Sequence, residues 1–319
     1  PLAALDVKVD TYVLETDVHF PTDLNLLWDA GRKCVDMIVK YRDQFGYALP
    51  GWRKAKDWRR QLKACERIAS QIVYRGGPNK EARMKRAVRD YLAVGRELSA
   101  KVRESLAGLC DQPVELAHWE ALEYFQRMLA KHLDLVERRL LQEEAIPAHE
   151  KVFSLFESHT EWIQKGKQRP NVELGHRLLI ATDQDYDVAA GVADVDRSVP
   201  VADRLLGRYG AGSVASLSFD KGFTREEDRE LLSLYVPAVV MPKRGKKNAA
   251  ETERESAKRF VALRQQHSAV ESEINSLEHH GLNRCLDMGL EGYLRYVGYG
   301  VMSYNLHQIG RQLLARASG

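Results

Sequence analysis

The stretch that decides the fold is "VKVDTYVLETDVHFPTD", residues 7–23. Its first half alternates, with Val7, Val9, Thr11 and Val13 standing against Lys8, Asp10, Tyr12 and Leu14. β-Branched residues dominate, so the segment reads as a strand with two distinct faces. It also carries acids at Asp10, Glu15, Asp17 and Asp23. A carboxylate inside a strand of a well-cored protein is costly unless something compensates it, so Asp10 asks for a chemical reason.

Working outward, the period changes after this stretch. From Asp23 to Glu150 the pattern is helical: "LLWDAGRKCVDMIVKYRDQF" places Leu27, Trp28, Cys34, Val35, Ile38 and Val39 on one side, and "DWRRQLKACERIASQIVY" continues it. "RGGPNK" at 75–80 breaks the run before two further long helical stretches, and an antiparallel bundle would bury such stripes. From Val152 the elements alternate. "HRLLIATDQDYDVAAGVADV" reads as a hairpin, "PVADRLLGRYG" as a helix ending at Gly210, and "VASLSFDKGF" as a strand running into a glycine turn. "TREEDRELLSLY" follows as a helix capped by Thr224, then "PAVVMPK" as a strand, and a helical tail from Glu251 to Ala317. Strands alternating with helices predict an α/β layer with parallel pairing. The expected organisation is therefore an α/β domain interrupted after its first strand: 1–22 first strand, 23–150 basic helical insertion, 151–319 remainder. Loop-closure entropy grows slowly enough to permit the separation.

Composition sets the outer limits. The 319 residues are 44% hydrophobic and 29% charged, as in a globular chain with a real core. No apolar run reaches membrane-span length and no export signal opens the chain, which predicts a cytoplasmic protein without a membrane partner. Opening on Pro1 rather than Met implies processing or a fragment that lacks an N-terminal module. Cys34, Cys65, Cys110 and Cys285 are scattered without a CxxC pair, against a disulfide frame or zinc ribbon. The net charge is +3, but residues 41–110 hold 17 Lys and Arg against 7 Asp and Glu. A polyanion partner explains such a segment, and so does a solvated basic helix face.

Two strand-borne aspartates stand out, Asp10 and Asp220. Asp220 follows Ala215, Leu217 and Phe219 and precedes Lys221 and Gly222, a position where open α/β sheets place ligands. Each alone is also an ordinary strand-end acid. Together they suit a hard divalent cation, which takes several oxygen ligands from rigid elements. A third acid is expected from "RQQHSAVESEINSLEHHGLNRC", where Glu271 and Glu278 share a helix face and Glu273 points away. Arg264, His267, Glu271 and Glu278 then form one polar stripe flanked by Val270, Ile274 and Leu277, which would dock the helix.

"VDTYVLETDVHFPTDLNLLWDAGR", "HTEWIQKGKQRPNVELGHRLLIATDQDYDV", "SLSFDKGF", "VVMPKRGKK" and "AVESEINSLEHHGLNRC…YVGYGVMSYNLHQIG" occur in that order. In this order they resemble the catalytic domain of bacterial insertion-sequence DDE transposases of the ISNCY-like group. The resemblance covers both ends of the chain and most of 151–315. It implies a ribonuclease H-like mixed sheet with helices, interrupted after the first strand by the all-helical insertion. It also implies that Asp10, Asp220 and Glu271 are the catalytic and metal-holding residues, with Asp17 and Glu273 as rivals for the first and third places. The implied cofactor is Mg2+, or Mn2+ in its stead. The implied partner is double-stranded DNA, transposon ends and target, bound by a homodimer in the bacterial nucleoid. A catalytically silent transposase-derived DNA-binding protein and a ribonuclease H-like nuclease without strand transfer are the competing readings.

The chemistry independently suits carboxylates. Two metal ions about 4 Å apart activate the attacking oxygen and stabilise the leaving one in phosphoryl transfer. No covalent protein nucleophile is required, consistent with the lack of a convincing Ser/His/Asp or Cys/His arrangement. Candidate DNA contacts are Lys165 and Lys167, with Arg169, around Gly166; Lys243, Arg244, Lys246 and Lys247 in "MPKRGKK"; and Arg264 and His267 ahead of Glu271. In the insertion, "PGWRKAKDWRRQLKACER" offers Arg59 and Arg60 to phosphates, whereas Trp52 and Trp58 read as core. His279 and His280 diverge by about 100° on a helix and read as polar surface rather than as a metal pair.

Overall fold

Strand β1, Leu5–Thr16, is the spine of the molecule. The computed structural model describes residues 4–45, 49, 51–165, 171–182, 185–189, 192–210 and 212–317. They divide into two compact units, one of residues 1–18 and 159–319 and one of residues 19–158. The expected insertion bounds, 23 and 150, fall inside the second unit.

In the first unit, β1 pairs antiparallel with β3 (Val172–Ala181) and parallel with β5 (Val214–Phe219). β3 also pairs antiparallel with β2 (Glu161–Gln164) and β4 (Asp185–Ala189), and β5 pairs parallel with β6 (Val239–Val240). A short β7 (Arg284–Cys285) runs parallel to the far end of β1. The sheet is therefore mixed, as expected, with the parallel pairs of strand–helix alternation at β1, β5 and β6 and antiparallel pairs at the hairpin side. β3 and β4 pair antiparallel as the expected hairpin requires, with Ala181 opposite Asp185.

The two faces of β1 go to two cores. Val7 and Val9, with Leu217 and Phe219, are buried beneath α5 (Ser198–Tyr209) and α6 (Glu226–Ser233). Tyr12 and Leu14, with Leu178 and Ile180, pack against Leu277 of α9 (Ala269–Leu277) and Tyr293 and Val297 of α10 (Gly289–Ala317). Helices thus cover both sides of the sheet. One approach leaves no room for a side chain: a Cβ on Gly175 would fall on the carbonyl oxygen of Leu14.

The helical tail is not continuous. It comprises α7 (Ala249–Ser256), α8 (Lys258–His267), α9 and α10, with a π turn at Glu278–Leu282. Gly281 at φ 97° ends the run after Glu278, a conformation that favours glycine. Nor does Thr224 cap α6: its hydroxyl donates to the carbonyl of Pro242 at 2.7 Å instead.

The second unit is a bundle of α1 (Asp23–Phe45), α2 (Ala55–Tyr74), α3 (Lys80–Leu109) and α4 (Leu116–Leu140). "PTD" starts it, since Thr22 Oγ1 accepts the Asn25 N–H at 3.1 Å, the bond of an N-cap. Leu27, Leu62, Leu98 and Leu129, one from each helix, are fully buried in one core. Trp52 is core as expected, its indole N–H donating to Ser105 Oγ at 2.7 Å.

Candidate active site

The site begins with a gap in the sheet. β3 occupies one edge of β1 along its length, so β5 and β7 must share the other. β5 pairs no further than Val9, and β7 begins only at Glu15. Between them Asp10, Thr11, Tyr12 and Val13 border a cleft of about 590 Å³. A crevice where a neighbouring strand ends and leaves the sheet is the ligand position of open α/β folds.

Register then places the acids. Because Val9 pairs with Phe219, the next residues along the two parallel strands are Asp10 and Asp220. Asp220 leaves β5 and opens a short 3-10 turn, Lys221–Phe223. Glu271 arrives on α9, docked by the buried Val270 and Leu277. All three expected acids line the cleft, joined by Asp194 from the turn before α5. Asp17 does not: it is exposed, 3.6 Å from Arg284. Glu278 borders a different cavity, beside Glu15 and Arg284, so the expected stripe from Arg264 to Glu278 is broken where the helix is.

The electrostatics record this crowding. Burial, followed by the negative charges of Asp220, Asp194 and Glu271, pushes the Asp10 carboxyl up to about 6, against the lowering effect of the Thr11 N–H at 2.7 Å. His267 is shifted down by burial despite the attraction of Asp220 and Glu271. Its Nδ1 lies 3.0 Å from Ser218 Oγ, while its buried Nε2 has no hydrogen-bond partner. Asp194 accepts the Thr11 hydroxyl at 3.0 Å and stands 3.8 Å from Arg177 Nε.

The expected basic residues divide into groups. Lys165, Arg244 and His267 line the cleft, and Lys165 is 2.5 Å from Glu173. Lys167, with Arg169, lies outside the described residues. Lys243 pairs with Glu251 at 2.8 Å and Lys247 with Glu255 at 2.5 Å, so the basic loop is fastened to α7 and Arg244 faces the cleft. Lys246 is exposed, and Arg264 is exposed with its guanidinium 3.8 Å from Glu255. In the bundle, Arg59 pairs with Asp36 at 2.9 Å and Arg60 with Asp57 at 3.0 Å. His280 bonds Ser276 O and His307, away from the cleft. Sequence reasoning missed Asp194, Arg177 and Lys221 as lining residues. Asp194 had only the acidic "ADVD" as a signal, in a segment that reads as strand.

Divalent cations suit this site in donor chemistry. Four carboxylates ring one cleft, and their mutual repulsion is the kind a dication relieves. Among the described residues no three His, Cys, Asp or Glu side chains stand together as a finished ligand group. Asp220 and Glu271 are exposed at the cleft. Comparison with protein-family models, with curated proteins and with solved structures gave no match.

Proposed function

We propose that the chain is the catalytic domain of a DDE transposase with a ribonuclease H-like fold, cutting transposon-end DNA and joining it to a target by phosphoryl transfer. The observation that carries this reading is the convergence of Asp10, Asp220 and Glu271 on one cleft from a central strand, a strand end and a docked helix. In support of the fold, the sheet is antiparallel from β2 through β3 to β1 and parallel from β1 through β5 to β6, with the first acid on its middle strand.

In this reading Asp10, Asp220 and Glu271 hold Mg2+ or Mn2+, with Asp194 beside them. The bound metal supplies activation of the attacking hydroxyl and stabilisation of the leaving oxygen. The chain's own contribution is position. The sheet fixes the Asp10 backbone, and Lys165 and Arg244 offer cationic groups to the phosphates beside the cleft.

The test incubates the purified chain with Mg2+ and the genomic DNA flanking its own coding sequence, and maps nicks and joined products. Metal-dependent nicking followed by joining, lost in Asp10→Asn, Asp220→Asn and Glu271→Gln, is expected. Nicking without joining assigns a plain nuclease. No nicking, with binding retained, assigns the silent alternative, and cleavage undiminished in the variants refutes the triad.

A further inference from the structure

Helix α10 has two apolar sides. One packs on the sheet through Tyr293 and Val297, helped by Tyr296, Val301 and Tyr304. The other faces solvent: Tyr299 is 61% exposed, Met302 52%, Leu306 61%, Ile309 53% and Leu313 58%. Their spacing is three, four, three and four residues, the a/d repeat of a helix that pairs with another helix. A contiguous apolar patch on this scale is often a functional contact surface.

We propose that this stripe is the seam on which a second copy of the chain docks, helix against helix. The flanks argue for a like partner. Positions beside the seam are Gly298, Ser303, Asn305, Gly310, Gln312 and Ala317, none of them charged. A homotypic pair sets each flank near its own kind, and same-sign charges there would repel; here nothing opposes self-association, and small residues permit close approach. Arg295 and Arg316 bound the stripe at heptad positions and limit it to its five residues. At about 100 Å² for each half-exposed side chain, two copies would bury roughly 1,000 Å², the lower end of specific interfaces. A homodimer was already implied by the family resemblance, but without a surface; the α10 seam stands whether or not the chain is a transposase.

The test uses the full chain. Sedimentation velocity from about 1 to 100 µM is expected to move from monomer to dimer, with Leu306→Glu and Ile309→Glu monomeric throughout and unchanged in circular dichroism. Leu306 is the midpoint of the stripe, so Leu306→Cys in a Cys110→Ser background is expected to form a disulfide-linked dimer in either helix orientation. Tyr299→Cys links to its own counterpart only if the helices are parallel. Arg311→Cys, on the opposite side of α10 by helical geometry, is expected to remain unlinked. A wild-type chain monomeric at 100 µM, glutamate variants that dimerise like wild type, or equal crosslinking through Arg311→Cys would each overturn the proposal.

Discussion

Replacing Asp10 by Asn is expected to make the metal-free protein more stable and, on the proposed reading, to abolish DNA cleavage. In the folded chain burial and three neighbouring carboxylates hold the Asp10 carboxyl up at about 6, against 3.8 ordinarily. The folded state therefore binds the proton more tightly than the unfolded state does. Stability is lost as pH rises from about 4 to about 6, and the full penalty persists above 6. At 1.36 kcal/mol per pH unit the ceiling is about 3 kcal/mol, which water in the open cleft reduces to about 1–2 kcal/mol. An Asn at this position carries no charge, and its side-chain oxygen still accepts the Thr11 N–H that Asp10 accepts at 2.7 Å. Urea unfolding at pH 5 and pH 8 in EDTA measures the effect. The variant should exceed wild type by about 1–2 kcal/mol at pH 8, and by about half as much at pH 5. Adding Mg2+ should stabilise wild type and leave the variant unmoved. An Asp10→Asn protein that is equal to or weaker than wild type at pH 8 would refute the claim that crowded charge is stored at this position.

Other consequences follow from particular side chains. His132 is fully buried in the bundle with neither ring nitrogen hydrogen-bonded, and burial pushes it down to about 4. The unfolded ring protonates near 6.5, so stability is lost as pH falls from about 6.5 toward 4. His132→Leu should remove that loss and raise stability at neutral pH by about 1–3 kcal/mol, read from urea midpoints at pH 7 and pH 5; an unchanged pH slope counts against it. Gly175→Ala, forced onto the Leu14 carbonyl, should cost more than about 3 kcal/mol, and a melting temperature within a degree or two of wild type would disprove the close approach. Substituting Arg59 and Arg60 together by Ala should reduce the slope of log affinity against log salt for duplex DNA by about 2; an unaltered slope removes both from the DNA contact.

Much of the fold is legible in the sequence because its elements are strongly periodic. The alternation from Val7 to Leu14 identifies β1, and the four apolar stripes between Asp23 and Leu140 identify the bundle. What failed to show were features set by contacts distant in sequence. The tail reads as helical from Glu251 to Ala317, but it breaks after Ser256, after His267 and at Gly281, whose φ is positive. Thr224 reads as a cap, yet its hydroxyl is claimed by Pro242, eighteen residues on. At the site, the family resemblance puts Asp10 ahead of Asp17, and the structure puts Asp10 at the cleft and leaves Asp17 exposed beside Arg284. Asp194 could not be found that way. It reaches the cleft from a 3-10 turn, where no period fixes a side chain's direction, and its place is shown by its bond from Thr11 and its position in the cleft lining.

The charge pattern changes most between one dimension and three. Residues 41–110 look strongly basic, but their cations draw acids from outside that window: Arg59 takes Asp36, Arg96 takes Glu137, and Lys85 lies 3.4 Å from Glu143. Over residues 19–158 as a whole, 25 Lys and Arg face 20 Asp and Glu, half the local excess. The field available to a polyanion is correspondingly weaker than the linear sequence implies. These pairs do not forbid DNA, however. Exposed ion pairs contribute only about 0–1 kcal/mol each, and a phosphate that replaces Asp36 or Asp57 also releases counterions from the duplex. A bundle whose cations are held in weak pairs can therefore exchange them for phosphates at little cost. If the bundle binds DNA as proposed, the affinity should be steeply salt-dependent while the bundle's stability is almost indifferent to salt.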